Sequence, residues 1–280
     1  MSAEQTASVA ESPTRETSES EILYRVEGAV ATLTINRPNR MNTISRRMLE
    51  ELSARLLEAD QDSEVRVIVL TGAGRAFCAG LDIQDAVAGT GIGAKTATVT
   101  PTLDLRNAPP IVLHQIDTPT LCALNGGAAG YGFDLALGCD IRIAVAGAKL
   151  SAAFTKRGLL PESGGTWLLP RMLGWAKAAE LVFTGRTLRA EEALELGLVN
   201  RVVEPGELES ATAELAREIA DNAPLAVQAA KRMMRAGLSE EFADHVHHVF
   251  LQLLPLFQTE DFREGLSSFL EKRPPEFKGR

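Results

Sequence analysis

The sequence predicts an α/β fold with mostly parallel strands, and three observations carry that expectation. Strand-like runs alternate with helical periodicity through the first half of the chain. The runs Val65–Leu70, Thr120–Leu124 and Ile141–Val145 are almost continuously apolar. Glycine-rich turns follow the first two of them. Taken in order, Ile22–Val26 and Ala29–Ile35 read as two strands joined at Gly28, a hairpin. Asn36-Arg37-Pro38-Asn39 is a loop. Ser45 suits the N-cap of a helix from Arg46 to about Ala59, with Met48, Leu49, Leu52, Leu56 and Leu57 on one face. Val65–Leu70 is apolar apart from Arg66 and stops at Thr71-Gly72. Gly89 to Pro110, rich in Gly, Thr and Pro, reads as a mobile surface segment. Strand Thr120–Leu124 leads into the glycines of Asn125 to Gly132 and a helix, and Ile141–Val145 is again a strand. From Glu191 the chain reads as mainly helical: one helix from Pro224 to about Ala236, a long one from Ser239, and a last one from about Glu260 to Lys272.

Composition bounds the classes. The chain has 280 residues, 45% hydrophobic and 24% charged, which suffices for a core without staples. No apolar run approaches the roughly 18 residues that cross a bilayer. Met1 to Glu21 is Ser/Thr/Glu-rich, which excludes a secretory signal and predicts a disordered tail. A net charge of -8 disfavours nucleic acid as a partner. Cys78, Cys122 and Cys139 are odd in number and lie in apolar stretches, so buried free thiols in a reducing, cytoplasmic setting are expected.

Two glycine-rich turns draw attention. Arg75-Ala76-Phe77-Cys78-Ala79-Gly80-Leu81-Asp82-Ile83 follows a strand, where α/β folds place ligands. Asn125-Gly126-Gly127-Ala128-Ala129-Gly130-Tyr131-Gly132-Phe133-Asp134 follows another and opens a helix, gathering bare N–H groups and the positive end of the helix dipole. Two such donors converging on one oxygen make an oxyanion hole. The spacing Gly126–Gly132 does not fit G-x-G-x-x-G. Gly93-Ala94-Lys95-Thr96 fails as a phosphate loop, because Ala94 stands where glycine is needed.

In combination these segments resemble the crotonase (enoyl-CoA hydratase/isomerase) superfamily from about Ile22 to the C-terminus. The anchors are Asn36-Arg37-Pro38 with Met41-Asn42, Ala76 to Ile83, Asn125-Gly126 and the glycines after it. Cys139-Asp140-Ile141-Arg142, Gly158 to Thr166, Ala193 to Val199, and Glu264 to Arg273 complete the set. The resemblance implies a spiral of repeated ββα units and a C-terminal helical region, with homotrimers or dimers of trimers. It divides the chain into a tail (1–20), a core bearing the active site (21–205), and a helical part for oligomerisation and CoA contact (206–280). It implies coenzyme A as part of the substrate, no further cofactor, and no metal. The oxyanion donors fall on the backbone of Leu81 and of Tyr131, which replaces the family's usual glycine. CoA contacts fall on Arg40, Met41, Ala79, Leu81, Asp82, Ile83, Phe269 and Lys272.

Many hydratases of the family use two glutamates. Their positions here hold Asp134 and Phe154, and phenylalanine can carry no proton. Glu162, in Pro161-Glu162-Ser163-Gly164-Gly165, matches an acid of several isomerases. One acid suffices to take a proton from C2 of a 3-enoyl thioester and return it at C4, with Asp134 as a second acid/base. Hydratase naming, other acyl-CoA lyase or thioesterase chemistry, and a non-catalytic acyl-CoA-binding protein stay open. So do plainer roles: Glu162 as a helix cap, Asp134 as a structural acceptor, His114 as structural, and His245, His247 and His248 as an amphipathic surface or subunit contact rather than a metal site.

Overall fold

The computed structural model describes residues 20–82, Gln84 and 106–280. Residues 1–19 of the expected tail and most of the Gly89–Pro110 segment, like Ile83, lie outside the described residues. Among the described residues no helix is long and apolar enough to cross a membrane.

Strands β1 (Ile22–Glu27) and β2 (Val30–Ile35) form the expected antiparallel hairpin through Gly28 and Ala29. Along β2, Ala31, Leu33 and Ile35 are fully buried and alternate with half-buried residues, the period-two pattern of a strand with one face on the core. Helix α1 (Arg46–Gln61) starts where Ser45 accepts a hydrogen bond from the Met48 amide at 3.3 Å. It buries Met48, Leu52 and Leu56. Strands β3 (Val67–Gly72), β5 (Thr120–Leu124), β7 (Ile141–Val145) and β10 (Arg201–Val203) extend the sheet in the order β1-β2-β3-β5-β7-β10, every pair after the hairpin being parallel.

A second sheet stands beside it, in the order β4-β6-β8-β9. It consists of β4 (Ala76–Cys78), β6 (Gly127–Ala129), β8 (Lys149–Ser151) and β9 (Thr187–Arg189). β4, β6 and β8 are the short continuations of β3, β5 and β7. Each chain segment therefore contributes a strand to one sheet, turns, and contributes three residues to the next. Both glycine-rich segments of interest lie on this second sheet.

The helices α2 (Pro109–Gln115), α3 (Tyr131–Gly138), α4 (Gly165–Leu173), α5 (Trp175–Thr184), α6 (Ala190–Glu195) and α7 (Leu208–Ala220) surround the sheets. α7 packs on β2, β3, β5 and β7, so sheet packing continues past residue 205. All three cysteines are buried and free, as expected. Arg142, 5% exposed, donates to the carbonyls of Leu198 at 2.6 Å and Cys139 at 2.5 Å, and more weakly to those of Ala136 and Leu137. A buried guanidinium thus satisfies the orphan carbonyls at the C-terminal end of α3 and fixes that helix.

The rest of the chain is α8 (Pro224–Ala236), α9 (Phe242–Leu256) and α10 (Glu260–Glu271). α8 is tied to the core by ion pairs from Arg232 and Arg235 to Asp117 (2.5 and 2.7 Å) and from Lys231 to Asp140 (2.7 Å). The final segment lies back on α10: the Lys278 and Gly279 amides donate to the buried Asp261 carboxylate at 2.6 and 2.8 Å.

Candidate active site

The two glycine-rich turns meet. Gly80 takes φ +105°, which an L side chain rarely adopts, and a Cβ there would stand 2.9 Å from the Ala129 carbonyl oxygen and 3.6 Å from the Tyr131 nitrogen. From the other side, a Cβ on Gly132 would stand 2.2 Å from the Cys78 carbonyl oxygen. Bare backbone on both segments is what lets β4 and the start of α3 touch.

That contact leaves two amides uncommitted. Leu81 forms an isolated parallel bridge with Ile44, in which Ile44 N–H donates to Gly80 O (2.9 Å) and Asp82 N–H to Ile44 O (3.0 Å). In such a bridge the middle residue's own N–H points to the opposite side. Tyr131 is the first residue of α3, where an N–H has no intrahelical acceptor. Among the described residues no backbone carbonyl accepts from either amide.

The loop bearing Leu81 is held from below. Asp82, 5% exposed, is bound by Arg40 at 2.8 Å, Arg37 at 3.3 Å and the Thr43 hydroxyl at 3.2 Å. Ala79 N–H donates to Met41 O at 3.0 Å. Met41 and Asn42 both adopt left-handed backbone (φ 53° and 55°). The buried Asn42 amide accepts from Arg37 N–H and donates to the Ala73 and Ala76 carbonyls. Four of the expected CoA-contact residues, Arg40, Met41, Ala79 and Asp82, are thereby brought together next to Leu81. Reasoning from the sequence named Arg40 and Asp82 as CoA contacts and missed their ion pair. It also missed the clamp formed by Asn42, for which the Met41-Asn42 anchor was the available signal. Phe269 lies on the last turn of α10, 82% exposed, and Lys272 caps that helix in left-handed backbone. Among the described residues no hydrogen bond or ion pair joins them to this group.

Three side chains surround the start of α3. Phe154 is buried, and its ring edge would lie 3.9 Å from a Cβ on Gly130. Glu162 sits in the turn before α4, open to solvent on one side. Desolvation by the surrounding protein raises its carboxyl above the ordinary glutamate range, opposed only by its own backbone N–H. Asp134 is wholly buried. One carboxylate oxygen accepts from the Ser163 and Gly165 amides, both at 3.2 Å, and the other has no partner among the described residues. Burial pushes Asp134 up to about 7, against those two hydrogen bonds and with the Glu162 charge adding to the rise. The Tyr131 hydroxyl is likewise buried without a partner among the described residues. Burial, then the Cys78, Glu162 and Asp134 charges, push it further up, so it stays protonated. The helix cap on α4 comes from Asp134, not Glu162. His114 stacks edge-on against Trp167 at 5.3 Å, and Glu240 holds His245 and His248 at 2.9 and 3.0 Å. Among the described residues no group of His, Cys, Asp and Glu is arranged to hold a metal ion.

Comparison with known proteins agrees with this architecture. The family model for enoyl-CoA hydratase/isomerase matches residues 25–280. The chain is 39% identical to the 1,2-epoxyphenylacetyl-CoA isomerase of Escherichia coli K12 and 36% identical to a short-chain-enoyl-CoA hydratase of Clostridium acetobutylicum, covering 92% of this chain and 98% of each relative. The crystal structure of an enoyl-CoA hydratase from Bacillus anthracis superposes with a TM-score of 0.84 at 34% identity, over 93% of this chain and all of that one. With the match running through both glycine turns, both sheets and the C-terminal helices, this chain belongs to the enoyl-CoA hydratase/isomerase family.

Proposed function

We propose that the protein is an enzyme that shifts a carbon–carbon double bond in unsaturated acyl-CoA thioesters. One observation carries the reading: two uncommitted amides, on Leu81 and Tyr131, lie at a single backbone contact, and one solvent-accessible carboxyl, Glu162, sits on the turn whose Ser163 and Gly165 amides are bound by Asp134, one helical turn from Tyr131. The amides receive the thioester oxygen as it gains charge, and losing one such donor typically costs about 2.7–4 kcal/mol of transition-state stabilisation. Glu162 removes the C2 proton of a 3-enoyl thioester, giving a dienolate, and the same carboxyl returns that proton at C4. The double bond moves to C2–C3, and Glu162 ends as it began. Its raised pKa brings the carboxyl nearer neutrality, where one group can both take and give a proton.

Arg40, Met41, Ala79, Leu81 and Asp82 form the bed for the CoA portion, joined by Ile83 and by Phe269 and Lys272 from the chain's last helix. CoA arrives with the substrate, and the chemistry asks for no other cofactor. The uncovered apolar face of α9, with Phe242 83% and Phe250 56% exposed, supports association with further copies, and the family resemblance implies a trimer or a pair of trimers. The buried free thiols fit a cytoplasmic setting.

Hydration is the second reading, favoured by Asp134 as a second carboxyl pushed up to about 7. Against it, Asp134 is sealed from solvent, and the other position where hydratases of the family carry glutamate holds Phe154. The test is turnover of 3-enoyl-CoA and 2-enoyl-CoA in deuterated water, followed by mass spectrometry. We expect the 2-trans isomer from the first, and Glu162→Gln lowering kcat at least about 100-fold by loss of acid–base catalysis. Full turnover by Glu162→Gln, or addition of water as the dominant reaction, overturns the isomerase reading.

A further inference from the structure

We propose that Asp134 is a positioning residue, whose carboxylate grips the Ser163 and Gly165 amides and so fixes the turn that presents Glu162 to the substrate. The inference rests on Glu162 as the proton carrier and assigns a separate role to the second carboxyl.

No other side chain among the described residues grips the Glu162 carboxylate, so its aim is set by the backbone of its own turn. That turn is tied to the body of the protein at residues 163 and 165, on either side of Gly164, and both ties end on one oxygen of Asp134. The fit is tight: a Cβ on Gly165 would stand 2.3 Å from the other Asp134 oxygen and 2.9 Å from Pro161 Cβ. Glycine at 165 is what allows the carboxylate to lie flat on the turn. Gly165 and Pro161 in turn close Asp134 off from anything bound outside.

Asp134 also lies three residues after Tyr131 on α3, one turn along the same helix face. The N-terminal amide of that helix is one expected oxyanion donor, and its first turn holds the acid's loop. α3 therefore acts as a rigid spacer between the thioester oxygen and the atom that moves the proton. A group misplaced by about 1 Å can lose about 100-fold in rate, which is what such a spacer prevents.

The ionisable groups facing Asp134 are Glu162 on the turn and Tyr131 on its own helix, with Cys78 of β4 next to Tyr131. Its ionised form is the stronger acceptor for two amides, so the grip tightens as pH rises through about 7.

The experiment compares Asp134→Ala, Asp134→Asn and Glu162→Gln in the full-length protein, each checked for fold by circular dichroism, with kcat, KM and the pH profile measured on a 3-enoyl-CoA. Asp134→Ala is expected to lower kcat about 100-fold with KM within about 3-fold. Asp134→Asn keeps an acceptor oxygen in the same place and is expected to recover about 10-fold of that loss. The rise of kcat through about pH 7 in the parent protein is expected to vanish in the Asn variant. An Asn variant that is folded and as inactive as Glu162→Gln would make Asp134 a proton carrier and overturn the proposal, as would an Ala variant with parental kcat. If Asp134→Ala does not fold, Asp134→Asn decides alone, by partial activity without the pH limb or by inactivity. Failure of the underlying isomerase reading shows separately, as parental turnover by Glu162→Gln.

Discussion

Strand β3 and helix α9 are both strongly apolar, yet β3 has five of its six residues buried and α9 has none of its fifteen. β3 lies between β2 and β5, with helices over it, so its Val and Ile side chains find partners within the chain. α9 touches α8 and leaves Phe242 83%, Phe250 56% and Leu251 50% exposed. An apolar patch of that size on a helix is a surface that expects a partner, whereas β3 has already met its own. The two regions teach that hydrophobicity alone does not say whether burial comes from the same chain or from another copy.

The largest expected effect that sharpens this contrast is in the core. Phe133→Ala, removing a ring 1% exposed in the first turn of α3, should cost about 3–5 kcal/mol in urea unfolding. A loss below about 1 kcal/mol would mean that the core around α3 is loose and that α3 cannot act as a spacer.

Next comes a pH effect confined to the core. Burial raises the pKa of folded Asp134 to about 7, from an ordinary aspartate value of 3.8. Between those values the folded state holds more protons than the unfolded one, so stability falls as pH rises, by at most about 1.4 kcal/mol per pH unit. Melting temperature should decline from pH 4 to 7 in the parent protein, with a shallower slope in Asp134→Asn. Equal slopes would remove Asp134 as the cause. Under the positioning role proposed for Asp134, activity gains from the same deprotonation, so this carboxylate would set catalysis against stability.

The smallest expected effect on the single chain lies on α9. Phe250→Glu should change the unfolding free energy of the dilute chain by less than about 0.5 kcal/mol. It should nevertheless shift the sedimentation of concentrated protein toward a smaller species. If the variant sediments as the parent does, α9 is not the surface that meets another copy.

Much of the fold is legible in the sequence, in parts that share a physical character. β5, β7 and α8 fall at the predicted residues, and α1 begins at its Ser45 cap, because apolar runs and caps are local signals. β3 continues through Thr71 and Gly72, where a turn is the local expectation, because two neighbouring strands supply hydrogen bonds there. The second sheet is invisible. Gly127–Ala129 and Lys149–Ser151 are three residues each, too short for a period, and pair only because longer strands deliver them to the same place. β10 is hidden for the same reason in a stretch that reads as helical.

The candidate site shows the same division. Leu81, Tyr131 and Glu162 follow from motif and resemblance. The grip of Asp134 on the Glu162 turn joins residues nearly thirty positions apart and has no sequence signal beyond an acid on a helix and a glycine pair.

The burial of all three cysteines has a practical consequence. Cys78 is pushed up to about 12 by burial, and Cys122 well above its ordinary range, so neither thiol offers a reactive anion to an alkylating reagent. A single cysteine introduced on the outer face of α9, for example by His247→Cys, would carry a spin label or dye with little background. Distances between labels on neighbouring copies would then map their arrangement in solution without removing a native side chain from the core.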